Sequence, residues 1–325
     1  MTEQRTAAPL TAQAPAKVNL TLRVLGRRAD GFHELESLVA FAAVGDELTF
    51  APGDALDLTV QGPSAAAAGP AADNLVVKAA RSLAANVEGL KLGRFVLVKR
   101  LPVAAGLGGG SADAAAALRL LARANGLEPD DSRLMAAARA TGADVPVCLV
   151  PRARLMRGIG DKLSAPLDLP PLHAVLVNPG VAVATKDVFA ALGADRHPEV
   201  RAISAFMRVF DALWRASKDD RPPIEGLWLS PFEGLAALGH LRVTELIAAL
   251  AENQNDLEPP AISLRPVIAD VLAALRAAQG CKLARMSGSG ATCFGLFDSA
   301  RASSAAADAT EAAHPGWWVR ATTLG

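Results

Sequence analysis

The chain has 325 residues, of which 51% are hydrophobic, and its 33 Lys plus Arg are balanced by 33 Asp plus Glu. That length and apolar content can fill two cores. Zero net charge excludes a chain-wide field that would draw nucleic acid or an anionic membrane, so recognition of an anion has to be local.

The three cysteines, Cys148, Cys281 and Cys293, are odd in number, lack CxxC spacing and sit in apolar surroundings. They read as buried thiols of a reducing, cytoplasmic compartment, neither a disulfide framework nor a zinc site. No apolar run is long enough to span a bilayer. The first fourteen residues, with Glu3 and Arg5 and no apolar stretch, do not read as a secretory signal and are expected to be unstructured.

In chain order, AKVNLTLRVLG alternates with period two from Val18 to Leu25 and predicts a half-buried strand ending at Gly26. A turn at Ala29–Gly31 is followed by strand-like sequence out to Phe50, and ALDLTVQG predicts another strand. SAAAAGPAAD reads as a loose connection, and DNLVVKAARSLAAN as a helix capped by Asp73. A short strand over Phe95–Lys99 leads into LPVAAGLGGGSADAAAALRLL, a glycine loop running into a helix that starts at Ser111 and stops near Asn125 and Gly126. DSRLMAAARATG predicts a further helix, and ADVPVCLV an apolar strand.

The proline-rich SAPLDLPPLH at 164–173 suggests a boundary between domains at 1–164 and 165–325. Beyond it HAVLVNPG predicts a strand and turn, and TKDVFAAL a short helix. Residues 203–240, with Trp214 and Trp228, read as core packing or a contact surface. VTELIAALAENQND precedes SLRPVIADVLAALRAAQG, which predicts a helix, followed by the strand CKLARM, the loop SGSGAT, the strand CFGLF, an alanine-rich helix and a last strand WWVRATTL. Strands first, then strands mixed with helices, indicate an α+β fold.

Three motifs carry chemistry. The glycine loop is not a Walker A motif, because no lysine lies between Gly106 and Leu118, and GxGxxG fails because Ser111 stands where a glycine is required. Its physics still favours an anion: glycines let backbone approach phosphate oxygens, and the first amides of the following helix have no partner inside it. The helix dipole adds only about 0.3–1 kcal/mol, so further charge must come from elsewhere. In AKVNLTL, Lys17 and Asn19 share one face of a strand, and Lys17 is either an edge charge or an inward charge needing a partner. Asp144, in TGADVPVCLV, makes a turn or supplies that partner. The third motif, Ser287, Gly288, Ser289 and Gly290 between two strands, exposes amides and hydroxyls on a loop longer than a hairpin needs.

Together these motifs resemble the GHMP kinases, in which a loop of the form PxxxGLGGSSA holds ATP phosphates; here it reads PVAAGLGGGSA. APAKVNLTL, GRRADGFHELESL, DNLVVKAA, TGADVPVCL, MRGIGDKL, QNDLE and SGSGATCF occur in the order seen in the branch that phosphorylates a diphosphocytidyl sugar alcohol for non-mevalonate isoprenoid synthesis.

The resemblance implies a two-domain α+β fold: a ribosomal protein S5 domain 2-like N-terminal domain and a ferredoxin-like α/β sandwich. It implies ATP and Mg2+, with phosphates held by Pro102, Ala104, Ala105, Gly106, Leu107, Gly108, Gly109, Gly110 and Ser111, and the base faced by Asn74 and Lys99. It makes Asp144 the base for the substrate hydroxyl and Lys17 its partner, with Asn19 holding substrate. His33 would bind the cytosine edge while Phe32 and Phe189 stack on its faces. The family often has tyrosine at the position of Phe32, and this chain has no tyrosine. A monomer or weak homodimer is expected. A kinase for another alcohol, of the homoserine or mevalonate type, and a non-catalytic nucleotide-binding regulator are the competing readings.

Overall fold

The computed structural model describes residues 8–53, 55–193 and 242–325. The chain forms two compact units, neither a single stretch of sequence. The first comprises the chain up to Lys17, Val44–Val103 and Gly108–Pro151; the second comprises Val18–Ala43, Ala104–Leu107 and the chain from Arg152 onward. The proline-rich stretch at 164–173 therefore lies within the second unit. The segment 203–240, with its tryptophans, lies outside the described residues.

In the first unit, β1 (Leu10–Asn19) starts inside the segment expected to be unstructured. It pairs with β3 (His33–Pro52), and cross-strand contacts hold its beginning: Gln13 Nε2 donates to Glu47 Oε2 at 3.0 Å, and the Thr11 and Thr49 hydroxyls lie 3.3 Å apart. The second half of β3 pairs antiparallel with β5 (Gly93–Val98), which pairs parallel with β4 (Asp57–Gln61). Four helices follow: α1 (Leu75–Ala84), α2 (Gly109–Asn125), α3 (Ser132–Thr141) and α4 (Val145–Leu149).

The alanines of α2 are buried from Ala112 to Ala117, so small side chains let this helix run through the middle of its unit. It begins at Gly109, two residues before the expected Ser111, with Gly108 as N-cap in the left-handed region. Asn74, not Asp73, caps α1: its Oδ1 accepts the Val76 N–H at 3.0 Å. The stretch expected as the strand ADVPVCLV contains the helix α4 instead, with Pro146 in its first turn, where the missing N–H costs nothing.

In the second unit, the strand expected from Val18 to Leu25 is interrupted, and β2 runs from Arg23 to Arg27. The first half of β3 pairs with β2 and with β6 (Arg154–Gly158), which is extended by the short β7 (Lys162–Leu163). β8 (Leu172–Asn178), β10 (Cys293–Phe297), β9 (Cys281–Met286) and β11 (Trp318–Leu324) form an antiparallel sheet in the order β11-β8-β10-β9. Among the described residues, the helices of this unit are α5 (Thr185–Ala191), α6 (Val243–Ala251), α7 (Glu258–Leu264), α8 (Val267–Ala277) and α9 (Ala300–Ala313). Val175, Val177, Ile268, Leu272, Leu275 and Phe297 form part of one core between sheet and helices. SLRPVIADVLAALRAAQG, expected as one helix, is split at Pro266, whose ring cannot continue the helix entered from Leu264.

Candidate active site

The glycine loop contributes to both units, and each part has its own anchor. In the second unit, the Ser287 hydroxyl donates to the Gly106 carbonyl at 2.9 Å and the Thr292 N–H donates to the Ala105 carbonyl at 3.1 Å. Ser287 Oγ also accepts the Asn19 N–H at 3.1 Å, so the serine-glycine loop holds Ala105, Gly106 and Asn19 together. Gly106 has φ +76°, and a Cβ there would stand 2.4 Å from the Ser287 carbonyl oxygen, which only glycine avoids. Ala104 carries a positive φ of 52° at the loop's turn, and Leu107 is buried as its apolar anchor.

The rest of the loop belongs to the first unit and opens α2. The first helical bond runs from the Ala112 N–H to the Gly108 carbonyl at 2.9 Å. The amides of Gly109, Gly110 and Ser111 consequently have no partner within the helix and point out of its positive end. A Cβ at Gly108 would lie 3.2 Å from Lys17 Cε, so the glycine leaves room for the lysine stem beside the loop. Lys17 is buried, which resolves its reading as an inward charge. Its Nζ lies 2.9 Å from Asp144 Oδ2, and the Asp144 side chain is 37% exposed. Asp144 stands at the N-terminus of α4 without capping it, so packing demands little of its carboxylate.

Lys99, expected to face the nucleotide base, is held among carboxylates of the first unit. It is 4% exposed, and its Nζ donates to Asp46 Oδ2 at 2.5 Å and to Asp113 Oδ2 at 2.6 Å. Asp46 Oδ1 also accepts the Arg100 and Leu101 N–H groups at 2.5 and 2.8 Å. Burial pulls the Lys99 ammonium down, but the Asp113 and Asp46 carboxylates outweigh it and its pKa lies above the ordinary lysine value. Asp46 and Asp113 were not singled out in the sequence. The available signals were Asp46 directly after Gly45 and Asp113 as the one acid on an alanine-rich helix.

In the second unit, Asn19 is 1% exposed and its Nδ2 donates to Ser37 Oγ at 2.7 Å. His33 and Phe189 stack on one another, with centroids 4.5 Å apart and an 18° interplanar angle. Phe189, expected with Phe32 to stack on the two faces of a cytosine, lies here on His33, and Phe32 is 59% exposed. Two partly hydrated rings bury their faces most readily against each other. Burial, with Arg27 nearby, lowers the His33 pKa and favours the neutral imidazole, which both donates and accepts.

The QNDLE motif holds the serine-glycine loop from behind. Asn255 Nδ2 donates to the Met286 and Gly288 carbonyls at 2.8 Å each, and Glu258 Oε2 accepts the Met286 N–H at 2.8 Å. The cysteines are unpaired; Cys148 and Cys293 are buried and Cys281 partly so. Burial pushes the Cys148 thiol up to about 12. Among the described residues no helix is long and apolar enough to cross a membrane.

Comparison with known proteins gives the family. Residues 74–152 match the model of the GHMP kinases N terminal domain, and residues 235–314 that of the GHMP kinases C terminal domain. The chain is 56% identical over 322 residues to a 4-diphosphocytidyl-2-C-methyl-D-erythritol kinase from Methylobacterium radiotolerans, covering 97% of this chain and 99% of the relative. It is 55% identical to one from Bradyrhizobium sp., covering 98% of each.

Among solved structures, a 4-(cytidine 5'-diphospho)-2C-methyl-D-erythritol kinase matches with a TM-score of 0.71 and 34% identity, over 97% of this chain and 99% of the other. A homoserine kinase from Cytophaga hutchinsonii matches with a TM-score of 0.69 at 21% identity, over 100% and 97% of the two chains, which is a likeness of fold. With its glycine loop opening a helix at Gly109 and near-full-length relatives of one kind, the chain belongs to the 4-diphosphocytidyl-2-C-methyl-D-erythritol kinases of the GHMP kinase family.

Proposed function

We propose that this protein transfers the γ-phosphate of ATP to the 2-hydroxyl of 4-diphosphocytidyl-2-C-methyl-D-erythritol, in the non-mevalonate route to isoprenoid precursors. The observation that carries the chemistry is the Lys17–Asp144 pair at 2.9 Å, with Gly108 of the glycine loop packed against the Lys17 stem. In this reading Asp144 accepts the hydroxyl proton, and Lys17 holds the carboxylate and orients the hydroxyl. Such a base contributes about 10²- to 10⁴-fold; positioning and charge stabilisation supply the rest.

ATP phosphates lie against the loop from Pro102 to Ser111, with the free amides of Gly109, Gly110 and Ser111 as donors. Asn74 and the remaining N–H of Lys99 serve the base. Among the described residues no group of three or more His, Cys, Asp or Glu side chains could hold a metal ion. Magnesium bound with the nucleotide would neutralise phosphate charge. Asn19 holds the substrate alcohol, and the serine-glycine loop of Ser287, Gly288, Ser289 and Gly290 keeps Asn19 and Gly106 in place. His33, Phe32 and Phe189 receive the cytosine.

Phe32→Ala is expected to raise the KM for the cytidyl substrate about five- to tenfold, the loss of one stacking face, with a smaller effect on the ATP KM. Equal effects on both would contradict the cytosine assignment. Assay of the diphosphocytidyl alcohol, homoserine and mevalonate side by side tests the substrate itself, and turnover of homoserine alone would overturn this reading.

A further inference from the structure

The nucleotide half of the proposed site has a buried ionic cluster that the phosphate transfer itself does not use. Asp46 on β3, Lys99 just after β5 and Asp113 in the second turn of α2 are each buried, at 0, 4 and 1% exposure. Their links close a bracket around the glycine loop within the first unit. Asp46 holds the Arg100 and Leu101 amides, where the chain enters the loop, and Lys99 ties that point to Asp113, where the chain leaves it. A Cβ at Gly109 would lie 3.1 Å from Lys99 Nζ, so the ammonium sits directly behind the first turn of α2. The other Asp113 oxygen, Oδ1, is buried with no hydrogen-bond partner. An unpaired carboxylate oxygen is costly to bury.

We propose that Asp113 is a positioning residue for the nucleotide: through Lys99 and Asp46 it sets the first turn of α2, and it takes up a proton from solvent at Oδ1 when phosphates dock there. This rests on the ATP-binding reading of the glycine loop. The groups that act on Asp113 are Lys99 and Asp46; Cys148 on α4, which senses it, stays a neutral thiol. Burial pushes the Asp113 carboxyl up to about 7, the Lys99 charge opposing and the Asp46 charge adding to it. An anion arriving at the same helix end disfavours a second negative charge, raises the carboxyl further and draws in a proton.

Two measurements on the full chain test this. In steady-state kinetics, Asp113→Ala, which loses the bond to Lys99, is expected to raise the ATP KM about tenfold with the alcohol KM unchanged. Asp113→Asn, whose amide oxygen can still accept from Lys99, should restore the ATP KM to within about twofold of the natural protein. Equal rises in both KM values, or no rescue by asparagine, would reduce Asp113 to general scaffolding and overturn the proposal.

The second measurement needs no variant: calorimetric titration of Mg-ATP into the natural protein at pH 7.5, without alcohol, in Tris and in PIPES. Net proton uptake on nucleotide binding is expected, seen as heats that differ between the two buffers. Heats independent of buffer would overturn the proton uptake. Absence of any binding heat would instead contradict the ATP reading on which it rests.

Discussion

Asp144→Asn is expected to lower kcat about 10²- to 10⁴-fold, with the KM for ATP changed by less than about threefold. The asparagine keeps the size and planarity of the carboxylate but cannot receive the hydroxyl proton. Because the Asp144 side chain is 37% exposed and caps no helix, its replacement should disturb the fold little. The buried Lys17 ammonium loses its carboxylate partner and keeps an amide oxygen to donate to. Steady-state kinetics together with a thermal melt separate the two effects. A folded Asp144→Asn protein with unchanged turnover would show that another group, or water, takes the proton.

Gly106→Ala should damage both the fold and the nucleotide loop. At φ +76° a side chain is strained by about 1–2 kcal/mol, and the added carbon would meet the Ser287 carbonyl oxygen at 2.4 Å and the Gly290 N and O at 2.9 Å. All three are backbone atoms, so no side-chain rotation relieves the contact. The serine-glycine loop would have to release the Gly106 carbonyl, costing about 1–3 kcal/mol more in repacking. The expected result is a melting temperature lower by several degrees and an ATP KM raised at least about tenfold. Calorimetric binding of ATP and a melt on the same sample check this. Undiminished ATP affinity would mean that this part of the loop does not shape the phosphate site.

How far the sequence could be read depended on whether the signal was local. The glycine loop, its helix and the strand-loop-strand around Ser287–Gly290 are set by φ requirements and periodicity within a few residues, and the observed elements follow them closely. Asp144 was read as a turn former or a carboxylate in need of a partner, and the chain brings it to Lys17. The stretch around it was misread as a strand, because a short apolar run fits a buried strand and a one-turn helix equally, and only the position of Pro146 favours the helix.

Lys99 shows the converse limit. The resemblance implies that Lys99, at the end of the strand before the loop, faces the nucleotide base. Its confinement between Asp46 and Asp113 depends on partners 53 and 14 residues away, which no local pattern announces. The two units interleave along the chain for the same reason: β3 contributes one half to each, and a composition shift at a proline-rich loop cannot report that. Phe189 on His33 is likewise a long-range pairing, 156 residues apart by number (189 − 33).

The most direct test of the proposed function is ADP release from the full-length protein with magnesium and ATP, in the presence and absence of 4-diphosphocytidyl-2-C-methyl-D-erythritol. The expected result is release that requires the alcohol and falls at least about a hundredfold in Asp144→Asn. Release independent of the alcohol, or none with ATP bound and the alcohol saturating, would contradict it.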